Sequence, residues 1–517
     1  MGYRGKEYKI NDFKGGLHSN SATTELNLNE ALDLSNIIIS SDGSYWRTRG
    51  GNTVFNSTAM NSGTNVQGLG YFRTAANAEY LTAVCGNKIF ASTSLNGTMT
   101  DITGAVTVTG SAANIWTLLT FNNVHIGFGG PSTAPDAPWS WTGAGNAAAL
   151  GGTPPSAYGA FQVNNRVFAF NTAANPSRIF WSILGSQSDW TGTGSGNADV
   201  WTSNNDSLTA AAILDTNTVL LFKQNSIHKM IVGTLVSNAF PIFPAINGIG
   251  CVGKHACVEA DGLVYFITPQ ASMVVTNGDI IIGETNLPRL SFIDDIFAGL
   301  NTTRLEYIQG KRIIGNDYDH IIWLVSSSGS STNDKALIWD LKNKCWLQNK
   351  TGFKANVITT IQNGTLYTGH YDGKIYLQEV TTAVTDASES SANIDYYWRS
   401  GWMKMSSMEK IIQPRKSTVS LVSQISGTVK YSYGFDFNMD TQTIPISQSG
   451  PDTGNLWDAS LWDSGVWGGQ SDLIIQFRMS GRGNVFQYML RGNDYKSKIN
   501  SIEFSGKEYG QKAFIAR

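Results

Sequence analysis

The chain has 517 residues with 37 basic and 39 acidic side chains, a net charge of −2, which argues against tight wrapping of nucleic acid by phosphate neutralisation. Charged residues make up 15%, while 54 glycines and 11% aromatic residues mark a turn-rich β protein. Four cysteines are too few for a disulfide framework and read as free thiols, and no run approaches the ~20 apolar residues needed to span a membrane.

The opening segment MGYRGKEYKINDFKGG lacks an apolar signal-peptide core, so synthesis in the cytoplasm without export by the general route is expected. Residues 1–54 read as an N-terminal arm. Within it, residues 27–37 (NLNEALDLSNI) have leucines at helix-like spacing and an acidic first turn, which predicts a helix. Arg47 and Arg49 are expected to point outward from a short strand, and the pairs Gly15-Gly16 and Gly50-Gly51 read as turns that tolerate positive φ.

From 55 to 380 the texture is strand, short turn, strand. Residues 79–93 pair two strands across Gly86-Asn87, and residues 160–171 pair two across Asn164-Asn165. Residues 177–183 and 217–233 continue the pattern, and residues 261–280 end on an Asn277-Gly278-Asp279 hairpin signal. A second helix is predicted over 290–300 (LSFIDDIFAGL), from apolar residues at spacings of three and four. Strands follow over 321–325, 336–340 and 345–347, then two more around Tyr371-Asp372-Gly373. Units recurring at ~40–50 residues predict an all-β fold with a β-propeller of roughly six to eight blades. Residues 381–393 are small and polar and read as a linker. Longer alternating strands over 394–517 predict a separate C-terminal β-sandwich-like domain.

Most catalytic and cofactor signatures are absent. There is no phosphate-binding GxxxxGK[ST] loop and no GxSxG nucleophile elbow. Gly192–Gly196 lacks dinucleotide-binding spacing and reads as a loop. Cys251, His255 and Cys257 lie close together, but the gap between the cysteines is wider than zinc sites favour, and no second ligand pair stands out. A sialidase-type Asp-box has its nearest match in Ser41–Trp46 and does not recur. Paired carboxylates of the kind a glycosidase sets across a cleft occur at Asp294-Asp295, on a predicted helix where adjacent residues point apart, and at Asp317/Asp319, in a predicted hairpin turn. The expectation is a non-enzyme with no cofactor and no metal.

Three segments resemble the tail nozzle, or tail hub, propeller proteins of podoviruses, the short-tailed bacteriophages. In residues 10–51 the likeness rests on Phe13, Gly15, Gly16, Leu17, Asn36, Gly43, Trp46, Arg47, Arg49 and Gly50. Residues 164–191 are similar to a family blade ending in an SxxxDW-like turn. Residues 456–469 (LWDASLWDSGVWGG) resemble tryptophan-rich C-terminal repeats. Trp457, Trp462 and Trp467 recur every five residues, which fits neither a strand face nor a helix face. They read either as caps on a Gly-rich loop region or as a contact surface for a neighbouring subunit or fibre. The resemblance implies a structural virion protein of the phage tail, in which six copies form a homo-oligomeric ring below the portal and its adaptor. That ring would continue the DNA channel, retain packaged double-stranded DNA, let it pass without sequence preference and dock fibres or spikes. Arg47, Arg49 and the three tryptophans are the expected subunit or partner contacts. The rival readings are a receptor- or carbohydrate-binding, lectin-like tail fibre and a tail-associated glycosidase.

Overall fold

Two consecutive asparagines can both adopt the positive φ that a tight antiparallel hairpin demands. Asn122-Asn123 (φ 46° and 62°) joins Trp116–Phe121 to Val124–Gly129, and Asn164-Asn165 (φ 46° and 55°) joins Ala157–Val163 to Arg166–Thr172. In the computed structural model, which describes residues 6–111, 113–201, 206–233, 239–404, 410–423, 427–448, 473–493 and 497–510, such hairpins build a ring of antiparallel blades.

Blade 1 runs Val66–Arg73, Glu79–Cys85, Lys88–Thr93, Thr100–Asp101. Blade 2 adds Trp139–Trp141 and Ala148–Ala149 to its hairpin, and blade 3 adds Arg178–Trp181 and Gly196–Asp199. Blade 4 is Leu208–Ile213, Thr218–Lys223, Ser226–Ile231 and Ile242–Asn247. Blade 5 has three strands, Cys257–Ala260, Leu263–Ile267 and Met273–Thr276. Blade 6 is Gln309–Ile314, Asp319–Val325, Lys335–Asp340 and Cys345–Asn349. Blade 7 is Ala355–Thr360, Leu366–His370 and Ile375–Val380, and its fourth strand is Gly51–Val54. The first strands of successive blades are neighbours around the ring, and that of blade 7 packs on that of blade 1, so the circle closes at seven blades. Wedge-shaped blades need small residues near the axis. A Cβ at Gly68, in blade 1's first strand, would lie 2.7 Å from the Trp116 Cβ of blade 2.

The remaining strands form a sandwich continuous with blade 6. Its last strand, Cys345–Asn349, pairs with Gly16–Leu17, and the sheet runs on through Glu30–Ser35, Tyr396–Ser400, Phe486–Gly492, Gly427–Phe435 and Asn438–Gln448, ten strands in all. A second sheet holds Leu473–Arg478, Lys410–Ser423, Ser497–Gly510, Trp46–Thr48 and Ile37–Ile39, with Lys6–Ile10 paired to Ser497–Gly510. The two sheets meet through aromatic rings: Trp46 stacks on Trp398 at 6.4 Å, Tyr431 meets Phe477 at 4.7 Å and Phe486 meets Phe504 at 5.5 Å. The chain is therefore an all-β protein, a seven-bladed propeller joined to a β-sandwich that strands of the N-terminal arm and of the C-terminal region build together, where a separate C-terminal domain was expected.

The arm departs from expectation in its last strand, Gly51–Val54, which belongs to blade 7, and in its predicted helix. Residues 30–35 form a strand where a helix was predicted over 27–37, because the segment is held between Gly16–Leu17 and Tyr396–Ser400, and those ladder bonds outweigh local helix preference. The second predicted helix is present as the turn Leu290–Ile293 followed by helix Asp294–Ala298. The segment read as a linker contributes Thr385–Asp386 and Ala392–Asn393, with Asp386 paired to Asn52. Among the described residues no helix is long and apolar enough to cross a membrane.

Candidate functional site

Strand Trp46–Thr48 brings the two arginines of the arm to the seam between sandwich and propeller. Arg47 grips Asp317 of blade 6 with two parallel bonds, Nε at 3.0 Å and Nη2 at 2.9 Å, and the Tyr45 hydroxyl joins the same carboxylate at 3.2 Å. Arg49 is fully buried, not outward as its place in a short strand suggested. Its Nη1 and Nη2 both donate to Asp386, Nε donates to Asn36 Oδ1 at 3.0 Å, and the remaining protons reach the carbonyls of Gly50 (2.9 Å) and Thr351 (3.0 Å). All five guanidinium protons are engaged, which is how a buried arginine is tolerated. Glu379 is half-buried beside this cluster and accepts the Gly50 N–H at 2.9 Å; desolvation pushes its carboxyl up despite the nearby Arg49 and Arg47.

Glycine at 50 and 51 serves close approach here, not positive φ. A Cβ on Gly51 would lie 2.3 Å from the Thr385 carbonyl oxygen, and one on Gly50 would lie 2.6 Å from the Glu379 carbonyl carbon. Gly16 does take the positive φ expected of it, at 63°. Trp457, Trp462 and Trp467 lie outside the described residues.

A cavity of about 360 Å³ sits on the propeller axis. First strands from five blades line it, through Thr117, Ala160, Ala211, Cys257 and Gly310–Arg312, together with Lys254 and His255 from the turn before blade 5. Lys254 is buried and donates to the carbonyls of Ile115 and Tyr158, tying blades 2 and 3 to blade 5; burial pushes its ammonium down to about 7. His255 lies 3.3 Å from the Thr117 hydroxyl. Burial first, then the charges of Lys254 and Lys311, hold its imidazole down to about 3. Arg312 is occupied by Asp261 (2.8 Å) and Asp319 (2.7 Å), and Glu259 accepts the Gly262 N–H at 3.0 Å.

The cysteines flanking His255 are thiol donors to backbone carbonyls, Cys251 to Gly253 at 3.3 Å and Cys257 to Ala211 at 3.8 Å. Among the described residues no group of three His, Cys, Asp or Glu is arranged to hold a metal ion. The paired carboxylates are tied elsewhere: Asp317 to Arg47, Asp319 to Arg312, and Asp295 to the Ser19 hydroxyl at 2.6 Å. The basic lining of the axial cavity was missed at the sequence level. Its only local trace is the KH dipeptide within CVGKHAC; Lys311 and Thr117 stand in unremarkable strands.

No family model matches the chain. No curated protein matches it either. Solved structures with a similar arrangement of strands include the WD40 β-propeller domain of Doa1, at 11% identity and a TM-score of 0.41, covering 64% of this chain and 97% of that one. YCF48 from Cyanidioschyzon merolae is similar at 11% identity and a TM-score of 0.37, covering 62% and 97%. The Cps50 (Swd1) propeller domain of Myceliophteria thermophila is similar at 10% identity and a TM-score of 0.37, covering 64% and 100%. The class of this protein, a β-propeller protein, follows from the strand order of its seven blades.

Proposed function

We propose that this chain is a non-enzymatic structural protein of a short-tailed phage virion, the tail nozzle or hub, assembled as a six-membered ring that continues the DNA channel below portal and adaptor. The observation that carries the reading is the unbroken ten-stranded sheet running from blade 6 through the arm and across the sandwich. A load applied to the sandwich reaches the propeller through successive backbone ladders and not through a flexible linker, which suits a part that holds packaged DNA against pressure. The arm that closes blade 7 also carries the motifs resembling the family, from Phe13 to Gly50. In this role the low charge and the many Asn, Ser and Thr side chains favour broad protein–protein surfaces over a grip on DNA. Immunogold electron microscopy with antibody against this chain, on virus particles from its source, tests the reading. Label on the axis at the distal end of a short tail is expected. Label on radiating fibres would replace the proposal with a receptor-binding one, and particles without label would end it.

A further inference from the structure

The cations around the axial cavity are not equivalent. Arg312 is neutralised by two aspartates, and Lys254 spends its protons on two carbonyls. Lys311 lines the same cavity, is close enough to His255 to act on its charge, and has no hydrogen-bond or ion-pair partner among the described residues. Lys311 is half-buried, and that desolvation pushes its ammonium down with no carboxylate compensating. A cation placed so, with no counter-charge, costs free energy unless an anion joins it. The Thr117 hydroxyl, 3.3 Å from the His255 imidazole, adds a donor to the same lining.

We propose that the axial cavity is a binding site for a small oxyanion, a carboxylate or a phosphate group, held by the Lys311 ammonium and the Thr117 hydroxyl, with the His255 imidazole bonded to that hydroxyl and orienting it. At about 360 Å³ the cavity has room for the oxyanion together with a small molecule that carries it, and not for a nucleic-acid strand. The ligand would tie together first strands from blades 2, 5 and 6, which supply Thr117, His255 and Lys311 at or beside them, and would stabilise the ring by mass action. This inference is independent of the proposed place in a virion.

The test is isothermal titration calorimetry of the full chain with inorganic phosphate and, separately, with acetate, each against sodium chloride at matched ionic strength. Saturable binding of at least one oxyanion is expected: phosphate alone would mark a phosphate-type ligand, and acetate a carboxylate. Lys311→Gln should weaken binding about 10-fold or more, the loss of a charge-assisted hydrogen bond, while Lys311→Arg retains it. Thr117→Val provides a second readout if Lys311→Gln does not fold, and it too should weaken binding. No saturable binding of either anion overturns the proposal, as does wild-type affinity in Lys311→Gln or, where that variant fails to fold, in Thr117→Val.

Discussion

Replacing Arg49 with alanine would leave Asp386, itself 1% exposed, as an uncompensated buried charge, and would strand Asn36 Oδ1 and the carbonyls of Gly50 and Thr351. Removing one partner of a buried pair costs ~3–5 kcal/mol, a large share of the ~5–15 kcal/mol that holds a typical native state. At ~2.1 cal/mol/K of unfolding entropy per residue, a chain of 517 residues unfolds with about 1.1 kcal/mol/K, so Tm should fall by about 3–5 °C. The assay is differential scanning calorimetry at fixed pH, run beside Arg47→Ala. Arg47 and Asp317 are 22% and 27% exposed, so that control should lose only ~1 kcal/mol and about 1 °C. The double variant Arg49→Leu/Asp386→Leu should recover most of the loss, because no unpaired charge remains. If Arg49→Ala melts within about 1 °C of wild type, or no lower than Arg47→Ala, the seam between arm and propeller is not held by this cluster and the reasoning fails.

Two other outcomes follow from geometry and burial. Gly51→Val drives a side chain into the Thr385 carbonyl oxygen, 2.3 Å from an ideal Cβ, and should loosen the strand that completes blade 7; limited proteolysis would then cut near residues 51–54 faster than in wild type, and unchanged cutting would count against ring closure by this strand. Burial holds the imidazoles of His125 and His255 down to about 3 and those of His228 and His370 down to about 4. Since an unfolded histidine titrates near 6.5, the unfolded chain binds more protons below that pH, and stability should drop as pH falls from 6.5 towards 4. A Tm that stays flat between pH 7 and 5 in calorimetry would contradict this, a window above the range where ordinary carboxylates titrate.

Local chemistry made the hairpins legible. Asn122-Asn123, Asn164-Asn165 and Asp261-Gly262 all take positive φ at both central residues, a demand few residue types meet, so the turns announce themselves in the sequence and so does the blade-like spacing. The helix Asp294–Ala298 was likewise readable from apolar spacing. The class of element, the all-β character and an approximate blade count are thus readable along the chain.

How those elements close, and what they enclose, depends on contacts between residues far apart along the chain. Gly51–Val54 completes a blade whose other strands lie more than three hundred residues later, and no local pattern encodes such a partner. Residues 30–35 became a strand because two distant strands flank them, and Arg49 turned inward because Asp386 waits beside it. The axial cavity draws Thr117, His255 and Lys311 from three separated stretches of chain. Turn and strand preferences are set by neighbours along the chain, whereas burial and charge pairing are set by neighbours in space, and a closed ring brings together residues that the sequence keeps furthest apart.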